Sequence, residues 1–133
     1  MLKFDQDQFQ SIGAQAQASF EDRMVVHLRR FFPEHSAALD DEQMRALIRH
    51  GIERGARFGL VTERNVCKYI DVMFAMGAQF DDDPTRAWAV AILRDTSARP
   101  HPSDRINALY DAVLERLRVA ADRGAMIGGT VPT

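Results

Sequence analysis

Asp81, Asp82 and Asp83 stand together in the stretch "QFDDDPTRAW", directly before Pro84. Carboxylates bring the hard oxygen donors that calcium and magnesium require, so a cation site is the first chemistry to test. An EF-hand loop needs acids at its first, third and fifth positions, Gly at the sixth and Glu at the twelfth. Counted from Asp81, the fifth residue is Thr85, the sixth Arg86 and the twelfth Ile92, so the pattern fails. Adjacent side chains also diverge, so the run does not by itself complete a magnesium shell. A helix start accounts for the run better. Asp83 is a favoured N-cap, Pro84 is pre-organised for the first helical position, and acids beside a helix N-terminus lie in a favourable dipole field. Asp81 and Asp82 exceed the needs of one cap and are expected to face Arg residues of this chain or of a partner.

The other reactive side chains are scattered. His27, His35, His50 and His101 include no pair three or four apart, the spacing a helical zinc motif would show. His27 and His50 read as boundary residues of helices, and His35 and His101 as loop residues. Cys67, the single cysteine, excludes an internal disulfide and leaves too few thiols for a cysteine-based zinc site. It sits just inside a helix begun by Thr62, where a positive helix end can activate a thiol. No local signature accompanies it, so a small packing residue is the plainer reading. Serine-elbow and phosphate-loop glycine patterns are absent. The aromatics Trp88, Phe31, Phe32, Phe58, Tyr69 and Phe74 read as core. Phe31 and Phe32 point about 100° apart on a helix, so one of them is expected to touch a neighbouring chain. No catalytic residue, metal or cofactor is expected.

The elements that carry these residues follow from apolar periodicity. Phe9, Ile12, Ala16, Phe20, Met24, Leu28 and Phe31 recur at helical spacing and predict a helix over 6–32, ended by Pro33. After a loop "PEHSAALD", Asp40 or Asp41 caps a second helix with Met44, Leu47, Ile48 and Ile52 inward, closed by Gly59. Gly51 and Gly55 within it each cost about 1 kcal/mol relative to Ala, which close approach of another helix would offset. Thr62 opens a third helix with Val66, Ile70, Met73 and Phe74 on one face, a polar opposite face, and a stop at Gly77. A fourth, "AWAVAIL" after Asp83, is apolar nearly all round and is expected to be the most enclosed. The two prolines of "TSARPHPS" make a linker. A fifth helix then starts at Pro102 or Ser103, carries Ile106, Leu109, Tyr110, Val113, Leu117 and Ala120 inward, and ends near Gly124. No strand pattern survives. The expectation is an all-α fold, a compact array of about five helices, with residues 1–124 as a single domain and 125–133 as a flexible C-terminal tail.

Composition agrees with one folded unit. The chain of 133 residues is 46% hydrophobic and 27% charged, ordinary globular usage. Seventeen basic against nineteen acidic residues give a net charge of −2, with both signs interspersed, which argues against nucleic-acid binding. All the basic residues but Lys3 and Lys68 are Arg. The start "MLKFDQDQFQ" lacks the apolar core of a signal peptide and no run is long enough to span a membrane, so a cytoplasmic, bacterial-type protein is expected.

The run "RMVVHLRRFFPEH", then "LIRHGIERGARFGLVTERNVCKYIDVMFAMGAQFDDDPTRAWAVAILRD", then "RINALYDAVLERL" resembles a group of small uncharacterised bacterial proteins often encoded beside type VI secretion spike, tip or effector genes. The similarity covers Arg23 to Leu117 and brings no active site with it; it departs from the pattern at Gly55, where Ala is expected. What it implies is an accessory role: an adaptor or chaperone for a secreted effector, binding the effector or a secretion component. An immunity protein that neutralises a cognate toxin is the alternative, and a metal-dependent enzyme or regulator using Asp81, Asp82 and Asp83 the second alternative. A homodimer is compatible with the sequence. Met126, Ile127 and Val131, apolar but outside any periodic pattern, are the expected partner-binding residues, together with Asp81 and Asp82.

Overall fold

The computed structural model describes residues 14–130, and the side chains of 15–123 within them. Among the described residues there are six α-helices, two single 3-10 turns and no strand. The all-α expectation holds. Phe9 and Ile12, placed on the first helix from the sequence, lie outside the described residues.

Helix α1, Ala14–Phe31, buries Phe20, Met24, Val25 and Leu28 on one stripe. Phe31, assigned to that stripe, instead stands 60% exposed, while Phe32 turns inward against Phe74 with ring centroids 5.8 Å apart. Pro33 does not begin a loop. It occupies the first turn of a short helix α2, Pro33–Ala37, where its missing N–H is one that no helical partner would have satisfied. Arg29 fastens this corner, donating to the carbonyls of Ser36 and Leu39 at 2.9 and 3.0 Å.

Helix α3, Asp41–Ala56, starts with a full capping box. Asp40 Oδ1 accepts from Gln43 N at 2.8 Å, and Gln43 Oε1 accepts from Asp40 N at 2.9 Å. It ends in a Schellman turn. Gly59, at φ +80°, allows Leu60 N to donate to Gly55 O at 3.0 Å and Gly59 N to Ala56 O at 3.0 Å. Leu60 is then buried completely.

Helix α4, Glu63–Met76, is capped by Thr62 and stopped at Gly77, as its sequence indicates. Its supposed polar face is not solvated. Tyr69, Ile70, Asp71, Val72, Met73 and Phe74 are buried in succession, so this helix, packed between α1, α3 and α6, is the centre of the array. The "AWAVAIL" segment does not hold that place. It forms the two-turn helix α5, Ala87–Arg94, with Ala89 and Leu93 alone fully buried among its residues, because a helix so short can lay only one side on α6.

Helix α6, Pro102–Thr130, buries Ile106, Leu109 and Val113. Leu117 and Ala120, assigned inward from the sequence, are exposed, as is every side chain from Leu114 to Arg123. The bundle is simply shorter than the helix. Residues 125–130, assigned to a flexible tail, continue α6 through Gly124 rather than leaving it there; 131–133 lie outside the described residues.

The two glycines of α3 differ in what they permit. A Cβ at Gly51 would lie 2.5 Å from Ile70 Cγ1 and 3.0 Å from Met73 Sδ, which is the close approach of α3 to α4. A Cβ at Gly55 would meet nothing nearer than 3.6 Å. Overpacking costs about 1–3 kcal/mol, whereas Gly to Ala in a helix gains up to about 1 kcal/mol. Gly51→Ala is therefore expected to lower the unfolding free energy by about 1–2 kcal/mol. Gly55→Ala should leave it unchanged or raise it by up to about 1 kcal/mol. Urea unfolding of both variants checks this, and a Gly51→Ala protein at least as stable as the Gly55→Ala protein would contradict the packing described.

Candidate functional site

Two polar clusters flank α4, and they differ in how completely their charges are met. The first contains the acidic run. Asp81 and Asp82 lie on a 3-10 turn, Phe80–Asp82, pinned by the burial of Phe80. Arg54, four turns along α3, reaches them with a forked contact: Nε to Asp81 Oδ2 at 2.8 Å, Nη2 to Asp81 Oδ1 at 2.6 Å and to Asp82 Oδ2 at 2.7 Å. Tyr69 of α4 donates its hydroxyl to Asp81 Oδ2 at 3.0 Å. The Asp81 side chain is 3% exposed and that of Arg54 11%. Where a metal-dependent site would need a cation, the guanidinium already stands.

The charges answer one another. Burial pushes the Asp81 carboxyl up, but bonds from Arg54 and Tyr69 outweigh it and hold it below its ordinary value. Its bonds to Asp81 and Asp82 hold Arg54 above its ordinary value, and burial together with the Asp81 charge raises the Tyr69 hydroxyl. Asp83 does the capping expected of it, accepting from Thr85 N at 2.9 Å and Thr85 Oγ1 at 2.7 Å. What it caps is a second 3-10 turn, Pro84–Arg86, and α5 begins only after that turn. Asp81 and Asp82 thus face an Arg of this chain. As partner-binding residues they are unequal, since Asp82 is 65% exposed and Asp81 is enclosed. Met126 and Ile127 lie on the last turns of α6, their side chains outside the described set, and Val131 lies outside the described residues.

The second cluster was not visible in the sequence. His27 of α1 meets Cys67 and Asp71 of α4 in a cleft of about 470 Å³, whose rim includes Arg23, Glu63, Arg64 and Lys68. His27 Nε2 lies 2.8 Å from Asp71 Oδ1 and 3.9 Å from Cys67 Sγ. One ligating atom from each of the three residues lies within 4.8 Å of the other two. Tyr110 of α6 donates to Asp71 Oδ2 at 3.4 Å. Burial raises the Asp71 carboxyl, offset in part by His27 and Tyr110. Burial and the Asp71 charge push the Cys67 thiol up to about 11. Burial also raises the Tyr110 hydroxyl.

This geometry is unlike a nucleophilic relay. In a relay the imidazole takes the thiol proton on one nitrogen while the carboxylate holds the other. Here the same nitrogen faces both Asp71 and Cys67, and the thiol is made less acidic by its surroundings. The four-residue spacing of Cys67 and Asp71 on one helix was the available signal. His27 carried none, because its meeting with them depends on how α1 packs on α4.

No protein-family model matches the chain, and neither does any curated protein or solved structure.

The Arg54 cluster predicts both a mutational and a pH effect. Removing one partner of a buried ion pair strands the other charge, at a cost of about 3–5 kcal/mol. Arg54→Ala should destabilise the fold by about that amount in urea unfolding. The Asp81 carboxyl is held below its unfolded value, so its stabilisation is full above that value and is lost as pH falls through the folded one. Acid unfolding followed by circular dichroism below about pH 4 should be shallower in Asp81→Asn than in the parent chain. An unchanged acid limb would contradict the assignment.

Proposed function

We propose that the chain is a non-enzymatic helical interaction module, an adaptor or chaperone that holds a secreted bacterial effector or a component of its loading apparatus. The observation that carries the reading is the far half of α6. From Leu114 to Arg123 every side chain is exposed, with Leu114 at 52% and Leu117 at 47%. Helices draw most of their stability from burying one face, and among the described residues this length has no fully buried side chain, its tie to the rest being Arg116 over the Trp88 ring at 3.7 Å. Ion pairs of Arg118 with Glu115 and Asp122 support it only locally.

Leu114 and Leu117 also form one wall of an apolar groove between α4 and α6, completed by Phe32, Val72, Ala75 and Tyr110. A partner helix laid into such a groove buries its apolar stripe by the common helix-in-groove mode. Phe31, 60% exposed, is a further apolar contact at the end of α1. The partner-binding residues Met126 and Ile127 lie farther along the same helix as Leu114 and Leu117. The resemblance to proteins encoded beside type VI secretion genes selects the class of partner. With no membrane-spanning helix among the described residues, a protein partner rather than a bilayer core is the natural complement of these apolar groups.

Co-purification of the tagged chain from its native locus tests the reading. The effector or secretion component encoded beside it should be retained by the parent chain and lost by a Leu114→Glu, Leu117→Glu double variant of unchanged melting temperature. A parent chain that carries no neighbouring gene product, or self-association through this groove in its place, would overturn the proposal. Toxicity to sister cells on deletion of the gene would replace the adaptor role with immunity.

A further inference from the structure

Among the described residues, the buried charges outside the α1–α4 cleft are met by an opposite charge or by carbonyls. Glu21 receives Arg49 at 3.0 and 3.1 Å. Asp81 receives Arg54, and Arg105 donates to the carbonyls of Arg99, Pro100 and Phe58. Asp71 differs. Among the described residues it is bonded to an imidazole and a phenol hydroxyl and to no Arg or Lys, although it is buried and stands one turn from a half-buried thiol.

The geometry points to a divalent transition-metal site of the zinc class, in which His27 Nε2, Cys67 Sγ and an Asp71 carboxylate oxygen hold the ion and the fourth position opens onto the cleft. The donor set is one nitrogen, one sulfur and one oxygen, which suits zinc and its neighbours and not calcium or magnesium. Zinc bond lengths and a tetrahedral angle place such donors about 3.3–3.6 Å apart. The observed 2.8 Å and 3.9 Å from His27 Nε2 bracket that range, and all three donors lie within 4.8 Å of one another, so side-chain rotation has to draw them together around the ion. Convergence on one histidine nitrogen, which defeats a proton relay, is what a shared ion requires.

Surrounding groups suit the assignment. Tyr110 donates to Asp71 Oδ2 and leaves Oδ1 directed at His27, the outer contact that orients a carboxylate ligand. The Phe31 ring lies 4.9 Å from the His27 ring and limits its rotation. As the ion binds, the proton of the Cys67 thiol and any proton on His27 Nε2 pass to solvent, and the metal supplies the positive charge that Asp71 otherwise lacks. The ion also bridges α1 to α4. Asp71 and Tyr110 line both this cleft and the groove of the interaction reading, but Leu114 and Leu117 line the groove and not the cleft, so variants there test the two readings separately.

The test uses the full chain, reduced and freed of metal by a chelator, titrated with zinc or with cobalt as a spectroscopic substitute. A ligand that prefers the folded state must raise the melting temperature. Zinc should do so with one-to-one saturation, and cobalt should give a thiolate-to-metal charge-transfer band. Cys67→Ser should abolish that band, His27→Ala should abolish the thermal shift, and Tyr110→Phe should weaken binding by about tenfold or more while keeping the band. The parent-chain titrations decide the matter even if a variant fails to fold. An unshifted melting temperature, a cobalt spectrum without the thiolate band, or an equal shift with magnesium would overturn the assignment.

Discussion

A guanidinium remains in a protein interior only where carboxylates or carbonyl dipoles meet its charge, and Arg54, met by two carboxylates, is the residue on which this arrangement turns. Its forked contact with Asp81 and Asp82 joins α3 to the turn that precedes α5, while Tyr69 brings α4 into the same cluster. Three segments are fixed relative to one another by one set of charge-assisted bonds. Their separation would leave at least one buried ion unpaired, so the cluster is far more costly to break than a surface pair. It also fixes where α4 sits, and α4 carries both Cys67 and Asp71. The order of the second cluster therefore rests on the saturation of the first.

Close packing supplies the complementary constraint. Gly51 lets the backbone of α3 approach Ile70 and Met73, at a distance no side chain would tolerate. The approach brings α3 near enough for Arg54 to reach past α4, and it encloses residues of α4 that a one-sided amphipathic helix would show to solvent. Asp71 is enclosed from another side, by His27 of α1 and Tyr110 of α6. Burial of the whole Tyr69–Phe74 stretch is thus a consequence of helices on more than one side, of which the sequence of α4 gives only a partial sign.

The local part of this structure was legible in the sequence and the long-range part was not. Asp40, Thr62, Gly59 and Gly77 act within a few residues of themselves, and each starts or ends a helix where its chemistry indicates. Pro33 shows where such reading fails: a proline ends one helix but is equally suited to the first turn of the next, and only the following residues decide. The enclosure of α4, the modest burial of α5 and the exposure of Leu117 depend instead on which helices are long and which neighbours they meet. The acidic run lay between these cases. Its cap at Asp83 is local and readable, whereas Arg54 lies 27 residues from Asp81, and no local pattern pairs them. His27 is 40 residues from Cys67, so the cleft was less legible still.

The two clusters show how the same residue types acquire different chemistry. Asp81 and Asp71 are both buried aspartates beside a tyrosine hydroxyl, one accepting at 3.0 Å and the other at 3.4 Å. At Asp81 the bonds from Arg54 and Tyr69 outweigh burial and favour the charged carboxyl, which is already engaged by a permanent cation. At Asp71 the partner is an imidazole, a weaker and titratable counterpart, and burial prevails. A saturated cluster can only hold the fold together. An unsaturated one, open to a cleft and supplied with nitrogen and sulfur donors, has binding capacity left over. Of the three adjacent aspartates, Asp81 is engaged by Arg54 and Asp83 by the Thr85 cap, whereas the dispersed His27, Cys67 and Asp71 turn their donor atoms toward one another beside a cleft.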